Sequence, residues 1–238
     1  LLVEFGSGAS VKTRLLLDHA PQISAYTPID ISPSVLDEAA ASLTADYPRL
    51  EIAPLADDFT TALDLPKLSR RRSAVGFFPG STIGNLAPDE AVEFLVNARH
   101  LLGEGAKFLI GADMVKSPDV LVAAYDDADG VTAQFNLNLL ARLNRELDAD
   151  FDLARFEHRA IWNAKAARIE MHLVSRLDQM VRVAGRRFAF KTGETIHTEN
   201  SHKFTPETIA ALAARSGWRV ERTWISGEPR FGLFLLAA

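Results

Sequence analysis

Residues 1–19 read LLVEFGSGASVKTRLLLDH, an apolar strand at Leu1–Phe5 that turns through Gly6 and Gly8 into a helix at Ser10–His19. Glycine lets a backbone turn sharply and approach a ligand without a Cβ in the way, and open α/β sheets bind ligands at this carboxyl end of a strand. Working outward, apolar runs at Ala25–Asp30, Glu51–Leu55, Ser73–Phe78 and Lys107–Ala112 read as further strands. Helical patterns at Pro33–Tyr47 and Pro88–Leu102 fall between them, and Ser32-Pro33 and Pro88-Asp89-Glu90 carry the signature of helix starts. Strands alternating with amphipathic helices predict an α/β fold, a parallel sheet with helices on both faces.

The rhythm changes near Ser117. Asp119–Leu147 is patterned as one helix, and Arg168–Arg176 with Met180–Phe190 reads as an antiparallel pair joined near Asp178. A helix from Thr205 to Ser216 then stops at Gly217, and Arg219–Ile225 and Phe231–Leu236 close the chain as strands. The predicted organisation is a ligand-binding domain of residues 1–116 and 204–238, with 117–203 as an inserted α+β subdomain too long for an ordinary connection.

Composition narrows the function. With 47% hydrophobic residues the chain can bury a full core, and a net charge of −5 gives no reason to expect nucleic acid or an anionic membrane as partner. No apolar run approaches the roughly 20 residues that span a bilayer. The absence of cysteine removes thiolate nucleophiles and cysteine zinc sites, and His197 and His202 lack the spacing of a helical zinc pair, so no metal is expected. A cytoplasmic monomer is expected. The chain opens inside an apolar strand without a Met, and is read as preceded by a further segment.

Three strand ends carry ligand chemistry. The glycine turn lacks the third glycine of a dinucleotide fingerprint, Ala9 and Ser10 standing there instead, which favours a smaller nucleoside over a pyrophosphate and disfavours a nicotinamide dehydrogenase. Asp30, at the end of the second strand, is placed to accept ribose hydroxyls, or else caps the helix behind Ser32. ADDF at 56–59 offers an acidic side chain to an adenine amino group and an aromatic to the ring. Together they point to S-adenosylmethionine.

The fourth strand runs into GFFPGSTIGNL (76–86), and this loop resembles that of the histidine-specific methyltransferases of ergothioneine biosynthesis. FGSGASVKTRLLL at the start, YDDADGVTAQFNLNLLARLNRELDADFD at 125–152 and ENSHKF at 199–204 are similar to the same family in the same order. The resemblance implies a Rossmann-like class I methyltransferase sheet with an inserted substrate-binding subdomain, and Nα-methylation of L-histidine with S-adenosylmethionine. It implies cofactor contacts from Gly6, Lys12, Asp30, Asp58 and Phe59. Gly80, Asn85 and Tyr125 would hold the amino acid's backbone, and Glu199 and Ser201 its imidazole, with no covalent catalyst. The family also carries an N-terminal segment that supplies aromatic residues to both sites and is not in this sequence. An inactive form retaining only the fold is therefore one alternative, and a related amino acid such as tryptophan as substrate is another. Read without the resemblance, Glu199 and Ser201 would be caps of the following helix. Arg186 and Arg187 are expected on solvated strand surface, and Met171 in the core or on a pocket wall.

Overall fold

Apolar runs become strands wherever both faces can be covered. In the computed structural model, which describes residues 1–66 and 73–238, the first elements are β1 (Leu2–Phe5), α1 (Val11–His19), β2 (Ala25–Asp30), α2 (Pro33–Asp46), β3 (Glu51–Ile52), β4 (Leu55–Ala56), β5 (Val75–Phe78), α3 (Pro88–Leu102) and β6 (Lys107–Asp113). Then come α4 (Pro118–Tyr125), α5 (Val131–Glu146), β7 (Phe156–Asn163), β8 (Arg168–Ser175), β9 (Gln179–Val183), β10 (Arg186–Phe190) and β11 (Thr195–His202). The chain closes with α6 (Pro206–Arg215), β12 (Arg219–Ile225) and β13 (Phe231–Ala237). It divides into two units, Leu1–Met114 with Phe204–Ala238, and Val115–Lys203.

The first unit is a sheet in the order β12-β13-β6-β5-β1-β2-β3, with β4 also paired to β2. The pairs from β3 to β6 are parallel, whereas β13 runs antiparallel to β6 and β12 to β13. All four residues of β1 are buried, as a central parallel strand covered on both faces requires. Phe5 packs edge-on against Phe94 at 5.3 Å, and Phe108 lies 5.3 Å from Phe5 and 5.7 Å from Trp218, whose Nε1 donates to the Leu95 carbonyl at 2.8 Å. The 79–86 loop is drawn onto β6. The Asp113 amide donates to Ser81 Oγ at 2.9 Å, and a Cβ at Gly111 would come within 2.1 Å of the Pro79 carbonyl, so only glycine admits the loop there.

The second unit departs from the pattern expected of it in three places. The helix predicted over 119–147 is two helices, because the Asp127 carboxylate accepts the amides of Val131 and Thr132 and Gly130 takes a left-handed conformation, which starts α5 afresh. The strand predicted over 180–190 is the hairpin β9-β10, turned by Ala184 and Gly185, both at positive φ. β8 consequently pairs not with that segment but with β7 on one side and β11 on the other, both antiparallel. Arg186 and Arg187 are exposed in β10, and Met171 is buried in β8. Among the described residues, no helix is long and apolar enough to cross a membrane.

Phe108→Ala removes the ring that joins Phe5 to Trp218, and is expected to destabilise the first unit by about 3–5 kcal/mol. Urea unfolding of the variant checks this; a loss below about 1 kcal/mol would show that the ring cluster does not hold the sheet.

Candidate active site

In the first unit, strand order reverses at β1, the topological switch where open α/β sheets leave a crevice. A cavity of about 180 Å³ lies there, lined by the β1 end through Lys12 and by Pro79, Gly80 and Thr82 beyond β5. The turn that forms it needs left-handed backbone at Gly6, Gly8 and Ser10, with φ of 64°, 49° and 53°. Asp30 holds the turn in place: its Oδ2 accepts the Gly8 amide at 2.9 Å and its Oδ1 accepts the Ser32 amide at 3.1 Å. One carboxylate thus ties the glycine turn to the start of α2, which matches the helix-start role read for Asp30. The hydroxyl of Ser7 in the same turn is buried and, among the described residues, without a hydrogen-bond partner.

Beneath the turn lies a cluster that sequence reading missed. Glu4 is 2% exposed and accepts from the hydroxyls of Thr13 and Tyr26, and Tyr26 also meets Ser10 Oγ at 2.8 Å. Burial pushes the Glu4 carboxyl up against the lowering pull of those hydrogen bonds and of Lys12, and burial together with Glu4 raises the Tyr26 phenol. Alternation along VEF placed Glu4 in a strand, but nothing along the chain signalled that Thr13 and Tyr26 would meet it.

The other predicted residues of this unit group unevenly. Phe59 stands over Gly6, 3.3 Å from where a Cβ would be, and packs edge-on against Phe78 at 5.4 Å and Phe94 at 5.7 Å. Lys12 Nζ lies beside Gly80, 3.6 Å from its Cβ position. Asp58 is exposed, its Oδ1 taken by the amide and hydroxyl of Thr60, the latter being the main cause of its lowered pKa. Asn85 is exposed at the end of the 3-10 turn Thr82–Asn85.

In the second unit, Tyr125, Ser201 and a buried lysine come together. Tyr125 Oη lies 2.7 Å from Ser201 Oγ, and Lys203 Nζ donates to each at 2.8 Å. The end of α4 is itself held: His158 Nε2 donates to the Tyr125 carbonyl at 2.7 Å and its Nδ1 accepts from Asn136 at 2.9 Å. Glu199 and Ser201 are strand residues of β11 rather than helix caps; α6 is capped by Thr205. A register shift between His197 and Glu199 places Glu199 opposite Met171 and Ser201 opposite Ile169, so both share the sheet face of those buried residues, against which Leu121 and Tyr125 pack. Burial pushes the half-buried Glu199 carboxyl up. On the other face, Glu170, His172 and His197 bring three polar side chains within 4.8 Å of one another. Arg168 and Asn163 occupy Glu170 at 2.7 and 2.8 Å, and the two imidazoles stack 4.7 Å apart with their ring planes nearly parallel.

A family model described as histidine-specific methyltransferase, SAM-dependent, matches residues 1–238. The histidine N-alpha-methyltransferase of Mycolicibacterium smegmatis is 46% identical over 240 residues, covering 98% of this chain and 74% of that protein. Ergothioneine biosynthesis protein 1 of Neurospora crassa is 28% identical over 247 residues, covering all of this chain and 27% of that protein. Among solved structures, the CcbJ methyltransferase from Streptomyces caelestis matches the whole chain with a TM-score of 0.55 at 17% identity, covering 82% of that chain, a likeness of fold alone.

The raised Glu4 carboxyl sets a pH dependence. As pH rises above the ordinary 4.5, the unfolded chain releases a proton that the folded protein still holds, so stability falls until Glu4 itself ionises in the fold. Glu4→Gln, which keeps an acceptor for the two hydroxyls, is expected to remove this fall. Urea unfolding of both proteins from pH 4 to 8 tests it, and parallel curves would contradict the assignment.

Proposed function

Because the chain belongs to the histidine-specific, S-adenosylmethionine-dependent methyltransferase family, we propose that it methylates the α-amino nitrogen of L-histidine, in successive steps to the trimethylated betaine that opens ergothioneine biosynthesis. S-adenosylmethionine is the cofactor, and the first unit suits it. The glycine turn presents backbone without Cβ atoms, Ser7 carries a buried hydroxyl with no partner among the described residues, and the cavity opens at the switch point of the sheet. Gly6, Gly8, Lys12, Asp30 and Phe59 are the residues we assign to holding it, with Asp58 at the rim. Bound there, it supplies a methyl group already activated on a sulfonium.

The protein's own task is then to present an unprotonated amine in line with that methyl. No covalent intermediate is needed, and correct positioning is worth up to several kcal/mol. We assign Gly80, Asn85 and Tyr125 to the amino acid's backbone, an amide side chain offering both a donor and an acceptor.

The observation that carries the histidine reading is the pair Glu199 and Ser201, on one face of β11 with Tyr125 packed against that face. A neutral imidazole has one N–H and one accepting nitrogen. Glu199 accepts from the first and Ser201 donates to the second. An indole has an N–H but no accepting nitrogen, so tryptophan would leave Ser201 unanswered, and unanswered buried polar groups discriminate strongly.

Incubation of the protein with S-adenosylmethionine and L-histidine, followed by mass spectrometry, is expected to show mono-, di- and trimethylated products. Glu199→Ala is expected to weaken histidine binding about 10- to 100-fold, the range for a hydrogen bond to a charged group. Equal turnover of tryptophan, or no loss in the variant, would overturn the reading.

A further inference from the structure

Lys203 lies just past the strand that carries Glu199 and Ser201, and no feature of the sequence singled it out. It is only 3% exposed. Its Nζ donates to Tyr125 Oη and to Ser201 Oγ, both at 2.8 Å, and stands 4.5 Å from the centre of the Tyr125 ring. Its backbone amide is tied to the Ala167 carbonyl at 2.8 Å, so the residue is anchored at both ends. A lysine is taken out of water only where such partners repay the loss of hydration.

The arrangement constrains protons. Each hydroxyl brings one hydrogen and two lone pairs. Nζ occupies one lone pair on each oxygen, and the 2.7 Å contact between Tyr125 and Ser201 consumes one of the two hydroxyl hydrogens. The remaining O–H finds no acceptor within the triangle and is directed outward. With Tyr125 donating to Ser201, that hydrogen belongs to Ser201, next to Glu199 on the same strand face.

We propose that Lys203 is a specificity-determining positioning residue: by filling a lone pair on each hydroxyl it makes the Tyr125–Ser201 pair a donor toward the substrate ring, selecting a ring with an accepting nitrogen. The inference rests on the histidine reading above. Without Lys203 each oxygen regains a lone pair, both hydroxyls turn more freely, and the pair loses its preference for an acceptor.

The test compares wild type, Lys203→Met and Lys203→Gln as full chains with S-adenosylmethionine, using L-histidine and L-3-(2-thienyl)alanine, whose five-membered ring has no nitrogen. In both variants KM for histidine is expected to rise about tenfold while kcat falls less than about threefold, since the loss is one of preorganised binding. The preference for histidine over thienylalanine in kcat/KM is expected to fall about tenfold or more. A merely structural role would not move that preference. Near-ultraviolet circular dichroism checks folding, and if the methionine variant does not fold, the glutamine variant is read in the same way. An unchanged KM and preference, or a fall in kcat alone, overturns the role of Lys203 while leaving the histidine reading intact. A wild type that does not turn over histidine removes the reading and this inference with it.

Discussion

Polar groups drawn into an interior are costly unless paired, and that constraint organises both units. In the first, the carboxylate of Glu4 sits inside the β1 layer only because Thr13 and Tyr26 reach it, one from α1 and one from β2. These bonds tie together the elements on either side of the glycine turn, and the Asp30 carboxylate clamps the turn from above through Gly8. In the second unit, Lys203 occupies the equivalent position: a buried donor to the hydroxyls of Tyr125 and Ser201. Removing one member of such a group costs more than its own bond, because the partners are left unsatisfied.

The same constraint links packing to specificity. The ring cluster of Phe5, Phe94, Phe108 and Trp218 packs α3 and the α6–β12 connection against β1 and β6, the strands that flank β5. Across β8 and β11, a single register shift turns Glu199 away from the face of His197 and toward that of Met171 and Ile169. A half-buried carboxylate there seeks a donor, and a ring N–H is a suitable one.

The first unit was largely legible in the sequence. Strands buried on both faces leave long apolar runs, and glycine, proline and aspartate mark their ends, so β1, β2, β5 and β6 fall where the pattern puts them, within a residue or two. β3 and β4 are shorter than the single run at 51–55 suggested. The second unit was less legible. β11 reads TIHTENSH, too polar to declare a strand, because one of its faces is solvated and the other holds functional groups. Its pairing with β8 depends on contacts distant along the chain, and so did the meeting of Tyr125 with Ser201. The Asp127 cap and the Ala184-Gly185 turn were present in the sequence as local chemistry that periodicity alone overlooked. Of the candidate site residues, Asp30 and Phe59 stood at strand ends that the pattern marked, whereas Tyr125, Glu199 and Ser201 were reached through the family resemblance. Nothing singled out Lys203 or the Glu4 cluster.

The central claim is that Glu199 and Ser201 grip a neutral imidazole through opposite hydrogen bonds. Nitrogen-15 NMR of ring-labelled L-histidine, bound to the protein with S-adenosylhomocysteine, tests this most directly. One protonated nitrogen and one unprotonated, hydrogen-bonded nitrogen, both changed by Glu199→Ala, is the predicted spectrum. Two protonated nitrogens, or ring signals indistinguishable from those of free histidine, would contradict the account.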